Sequence, residues 1–132
     1  MTRADAEAVL AFWRGHDGVG LGDSDTPGEI AAYLDRNPKM SLVARENGRI
    51  IAAVLCGHDG RRGCLYHLAV ASSHRRQGLG RRLVERCIES LRLAGIPKCN
   101  VYVYGDNLGG REFWKETGFA WRSDLIMMQR RV

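Results

Sequence analysis

The chain has 132 residues, 45% of them hydrophobic and 27% charged. This describes one ordinary globular domain over residues 1–132, too short for a second core and too apolar for a disordered chain, able to bury roughly two-thirds of its unfolded surface without a metal or disulfide. The net charge of +5 is uneven, with residues 1–40 summing to −3 and residues 41–132 to +8, which suggests two ligand surfaces rather than one nucleic-acid face.

In chain order, residues 4–13 place Ala8, Val9, Leu10, Phe12 and Trp13 on one side of a first helix. Residues 14–25 hold four glycines and should form a mobile loop. Thr26-Pro27-Gly28-Glu29 starts a second helix, with Thr26 as N-cap and Glu29 completing a capping box. Asn37-Pro38 stops it near Arg36. Residues 41–46 and 49–57 form strands joined at Asn47-Gly48, a strong hairpin signal.

After a turn at 58–63, residues 64–70 form a third, buried strand. Leu79, Leu83, Val84, Cys87, Ile88 and Leu91 mark a long helix over 78–94, closed by Gly95. A strand over 98–104, a short helix over 108–117 and a last strand over 125–130 complete the expected order. The fold class is an α/β (α+β) sandwich with a mixed sheet. The four cysteines, at 56, 64, 87 and 99, form no C-x-x-C pair and have no histidine at metal spacing beside them. Neither zinc nor a disulfide framework is expected, and no metal is assigned. No apolar run is long enough to span a bilayer and no signal-peptide core is present, so a cytoplasmic location and no membrane partner are expected.

The chemistry is concentrated where the third strand ends at Val70 and, after a polar turn, Arg75-Arg76-Gln77-Gly78-Leu79-Gly80 opens the long helix. A helix start leaves backbone N–H groups unpaired and partly positive. Glycines at 78 and 80 let an anion approach those donors, and Arg75, Arg76, Arg81 and Arg82 surround the same point. Four arginines at a helix start make local sense when a phosphate or pyrophosphate completes the site. Charge-assisted amide hydrogen bonds contribute about 1.5–3 kcal/mol each, more than exposed arginines do.

Arg75-x-x-Gly78-x-Gly80 after Leu68-Ala69-Val70 resembles the acetyl-CoA motif of the GNAT superfamily of N-acetyltransferases. Asn107-x-x-Gly110-x-x-Phe113-Trp114-x-x-x-Gly118-Phe119 resembles that family's downstream motif, with 26 residues between Gly80 and Asn107. The turn at 57–63 is further similar to small bacterial YpeA-type members. The resemblance implies a GNAT-like splayed sheet of about six strands with helices on both faces. It implies pantetheine on main chain around Leu68, Ala69 and Val70, and pyrophosphate on amides from Arg76 to Arg81, Gln77 and Leu79 among them. Asn107 would reach the pantetheine or thioester, with Gly110 and Phe113 in the same motif and Phe113 and Trp114 flanking the acyl region. The implied reaction is direct attack of a primary amine on acetyl-CoA in a ternary complex, without a covalent intermediate.

The family usually carries Tyr where Trp114 stands, and an indole N–H cannot supply a proton. Tyr104 or Tyr102 then takes the role of acid, or the thiolate leaves unassisted. Family members also open with a short strand for which residues 1–6 leave little length, which puts one sheet edge in doubt and leaves a homodimer open. The acceptor ammonium must lose a proton, and His67, three residues before Val70, is the first candidate base. His16, His58 and Asp59 are weaker ones, and a water chain is a further option. Asp17, Asp23 and Asp25 would favour a cationic amine, with Phe12 and Trp13 as an apolar wall. Two other readings stay open: a domain that binds or senses acyl-CoA without turnover, and a basic nucleic-acid module. Glu85 and Glu89 among the helix arginines count against the latter.

Overall fold

Asn47 and Gly48 both take left-handed backbone, φ 50° and 77°, as a type I′ turn requires, and close the first hairpin of the sheet. In the computed structural model, which describes residues 1–132, β1 (Leu42–Glu46) pairs antiparallel with β2 (Arg49–His58). Next, β2 pairs antiparallel with β3 (Gly63–Val70), and β3 pairs parallel with β4 (Cys99–Val101). The sheet is therefore four-stranded, mixed, and ordered β1-β2-β3-β4.

Helices α1 (Ala6–Arg14) and α2 (Pro27–Arg36) cover one face, with Val9, Trp13, Ile30 and Leu34 packed on Ala53, Leu55 and Ala69. Helix α3 (Leu79–Leu93) covers the other, placing Leu83, Val84, Cys87 and Leu91 on Ala52, Val54, Cys56 and Leu65. Aromatic residues of α4 (Leu108–Glu116) extend that second core. No helix is long and apolar enough to cross a membrane.

Four strands form, not six. Met1 donates from its ammonium to Ser41 O at 3.1 Å and residues 3–5 form a single 3₁₀ turn, so no strand precedes α1. The expected strand over 98–104 pairs only through Val101, and residues 125–130 adopt no regular structure, with Ile126 and Met128 fully exposed. Alternation marks a segment that can form a strand, but a strand needs a partner edge. Here pairing with β4 stops at Leu65–Val101 while β3 runs on to Val70, and the two chains part. On α1, Ala8 points to solvent and Ala6 takes its place in the core. Thr26 caps α2 by accepting the Glu29 N–H at 3.2 Å, the first half of the expected capping box.

Candidate active site

The parting of β3 from β4 opens a groove of about 2210 Å³ that runs from Arg76, Gly78 and Arg81 at the start of α3, past Val70 and Phe113, to His67, Tyr104 and the loop before α2. At its α3 end, Arg76 and Gly78 have φ of 61° and 75°, and Gly78 is the N-cap of α3. The first α3 amide bonded back into the helix is that of Arg82, to Gly78 O at 3.0 Å, leaving the Leu79, Gly80 and Arg81 donors directed out of the helix end. A Cβ on Gly78 would meet nothing within 4 Å. Open space above unpaired amides fits a pyrophosphate.

Gly80 plays a different part from Gly78. It is buried, and a Cβ there would lie at ordinary contact distance, 3.4–3.5 Å, from Phe113 and Val70, so the position belongs to the packing of α3 against Phe113. Nor do all four arginines converge. Arg75 Nε donates to Val70 O at 3.1 Å and braces the strand end. Arg75, Arg76 and Arg81 line the groove, whereas Arg82 and Gln77 do not. Asn107, expected to reach the pantetheine, lines the groove and also caps α4: its Oδ1 accepts the Gly110 N–H at 2.9 Å, and a Cβ on Gly110 would overlap this cap. The Asn107 Nδ2 remains for the groove. Trp114 stands edge-on between Phe113 and Phe119, at ring distances of 5.2 and 5.1 Å, as a packing ring.

A β-bulge builds the middle of the site. Ala53 opposes Ala69 and Leu55 opposes Tyr66, so β3 holds two residues, His67 and Leu68, against one on β2. His67 takes φ 54° there. Alternation slips by one, and the neighbours Tyr66 and His67 both face the α1/α2 side, while Leu68 and Val70 pack toward α3 and Ala69 toward α1. His67 Nε2 lies 2.7 Å from Asp25 Oδ1, each side chain 13% exposed. Its ring stands 5.2 Å from that of Trp13. Trp13 is fully buried, so it backs His67 and does not wall an acceptor; half-buried Phe12 packs on His16.

The loop expected to be mobile lies across the site. Gly18 sits against Asn107, and Gly20 so close to the Tyr104 hydroxyl that any Cβ would overlap it. Asp17, Gly18, Val19, Tyr104, Asp106 and Asn107 enclose a side pocket of about 530 Å³. Of the three aspartates, Asp23 pairs with Arg131 and Asp25 with His67, leaving Asp17 without an ion pair. The weaker base candidates have structural partners: His16 Nδ1 contacts Phe12 O at 2.6 Å, His58 Nδ1 accepts the Gly60 N–H, and Asp59 accepts the Arg61 and Arg62 N–H groups.

Thiols are poorly disposed to react. The Cys56 thiol is raised by its contact with Cys87 and by burial, Cys64 is raised by burial, and burial pushes Cys99 up to about 12. All three stay protonated near neutrality and are weak nucleophiles. Sequence reasoning missed the Asp25–His67 pairing, the bulge that brings Tyr66 alongside, and Gly20 against Tyr104. Only the glycine-rich composition of the loop hinted at a close approach.

The acetyltransferase (GNAT) family model matches residues 9–119. An acetyltransferase of Yersinia pestis is 31% identical over 128 residues, covering 97% of this chain and 89% of its own. Among solved structures, an acetyltransferase with acetyl-CoA from Clostridium acetobutylicum superposes with a TM-score of 0.74 at 16% identity, over 98% of this chain and 92% of that one. An aminoglycoside 6′-N-acetyltransferase from Acinetobacter haemolyticus reaches 0.77 at 15% identity, over 100% and 96%. A groove with an anion cradle at the start of α3, together with these likenesses, makes the chain a member of the acetyltransferase (GNAT) family and an acetyl-CoA-dependent N-acetyltransferase.

Proposed function

We propose that the chain transfers acetyl directly from acetyl-CoA to a primary amine, with His67 accepting the amine's proton and Tyr104 donating one to the departing sulfur. The observation that carries the reading is His67, fixed by Asp25 at the bulge where β3 leaves β4 and the groove opens. Amides at 76–81, with Arg76 and Arg81, would hold the phosphates, and main chain at Leu68–Val70 the pantetheine. An alkylammonium titrates near 10, so the acceptor enters largely protonated. His67 takes one proton from the ammonium and the freed lone pair attacks the thioester carbonyl; as the C–S bond breaks the thiolate takes the Tyr104 hydroxyl proton, the second proton leaving the new amide nitrogen restores Tyr104, and His67 returns its proton to solvent. Three raised cysteine thiols support direct attack over an acyl-cysteine. Unpaired Asp17 beside Tyr104 supports a cationic acceptor.

Thiol release from acetyl-CoA over a panel of primary amines tests the reading, with intersecting initial-velocity lines as the expected pattern. Parallel lines, or binding without turnover on any amine, would overturn it. The acid has its own check. Gly20 has ordinary backbone angles, so Gly20→Ala is locally unstrained but displaces the Tyr104 hydroxyl. Because a thiol, with a pKa of about 8.5, is a good leaving group, Gly20→Ala and Tyr104→Phe should each lower kcat by only about tenfold, below the usual hundredfold or more for acid–base assistance. The double variant should lose no more than either alone.

A further inference from the structure

We infer that Asp25 is a positioning residue for the transfer: it holds His67 with Nε2 protonated, leaving Nδ1 as the nitrogen that takes the acceptor's proton. This rests on the reading of His67 as base. An ionised carboxylate only accepts hydrogen bonds, so the ring nitrogen 2.7 Å from Asp25 Oδ1 is the one that carries hydrogen. In a neutral imidazole the lone pair then lies on Nδ1. The carboxylate is itself fixed. Its Oδ2 accepts the Gly22 N–H at 2.7 Å, and the Asp25 N–H donates to Gly22 O at 3.0 Å, closing a tight turn.

The imidazole is thus held from three directions: by the bulge in β3, by the buried Trp13 ring behind it, and by Asp25 from the loop. The titratable groups around it are Asp25 of the loop, Tyr66 of its own strand and, behind Tyr66, Tyr33 of α2; α1 presents only the uncharged Trp13. Burial raises both tyrosine hydroxyls, which therefore stay neutral, and Asp25 is the one charge beside the ring. As Nδ1 takes up the proton, the imidazolium forms against that anion and is stabilised by it. The benefit arises as the proton moves and not on binding, so it falls on kcat. The same contact ties the loop that touches Tyr104 and Asn107 to the base.

Asp25→Asn separates this role from a mere clamp. Asparagine keeps a side-chain oxygen for the Gly22 turn but offers N–H to the ring, which favours the opposite tautomer, as in the serine-protease triad. The expected result is a fall in kcat of about ten- to a hundredfold with KM for the amine changed less than about threefold. Nitrogen-15 spectra should show His67 leaving the Nε2–H form. Acetyl-CoA affinity should be unchanged, which also reports that the variant is folded. Wild-type kcat and tautomer in Asp25→Asn, or an effect confined to KM, would overturn the inference, the latter returning Asp25 to an acceptor contact. His67→Asn is run beside it. If His67→Asn is fully active, the base reading itself fails; if it is inactive while Asp25→Asn is not, only the role of Asp25 does.

Discussion

Gly78→Glu is expected to abolish acetyl-CoA binding while leaving the domain folded. Gly78 stands at φ 75° as the N-cap of α3, with nothing within 4 Å of where a Cβ would lie. A side chain there meets no steric clash, and the left-handed backbone costs an L-residue about 1–2 kcal/mol. A carboxylate at a helix N-terminus returns roughly 0.3–1 kcal/mol of that, so the melting temperature should fall by only a few degrees. On the ligand side the effects add in the same direction. The glutamate fills the open cradle, competes for the unpaired amides, and neutralises Arg76 and Arg81. Losing two charge-assisted contacts of about 1.5–3 kcal/mol each removes roughly two to four orders of magnitude in affinity. Calorimetric titration with acetyl-CoA measures this directly. Gly78→Ala carries the same backbone strain without bulk or charge and should lose far less. Undiminished binding by the glutamate variant would place the phosphates elsewhere.

His67→Asn is expected to lower kcat by about a hundredfold while acetyl-CoA affinity is kept. Asparagine suits the site because it tolerates the left-handed region that His67 occupies at φ 54°, so the bulge survives. Positioned base catalysis is worth roughly 10²–10⁴ in rate. The sign of the pH dependence follows from the chemistry: protonated imidazole has no lone pair to offer, so wild-type activity is lost toward acid pH. The variant lacks that limb and rises toward high pH only as the amine deprotonates. Steady-state rates across pH test this; an unchanged kcat would assign the proton to a water chain.

Local chemistry made much of the scaffold legible. Asn47-Gly48, Thr26 before Pro27, and the apolar spacing from Leu79 to Leu91 each encode their structure within a few residues, and each appears where expected. The open helix start at 75–80 was legible for the same reason, since its left-handed glycine and unpaired amides belong to its own backbone. What depended on distant partners was not. Residues 125–130 carry the apolar run expected of a last strand, yet the edge they would need stops at Val101. The bulge at His67 breaks an alternation that the sequence carries past it, and so hid the shared face of Tyr66 and His67. Asp25 and His67 are 42 residues apart, and a loop aspartate carries no local sign of a histidine partner. Trp13 followed helical spacing correctly onto an apolar face, but whether that face met the core or a substrate was set by α2 and the sheet.

A crystal structure of the protein with CoA and a trapped primary amine tests the central reading most directly. The expected result is the amine nitrogen within hydrogen-bond reach of His67 Nδ1, with Asp25 on Nε2 and the CoA pyrophosphate on the amides at the start of α3. An amine held away from His67, with another side chain or an ordered water chain at its nitrogen, would contradict it.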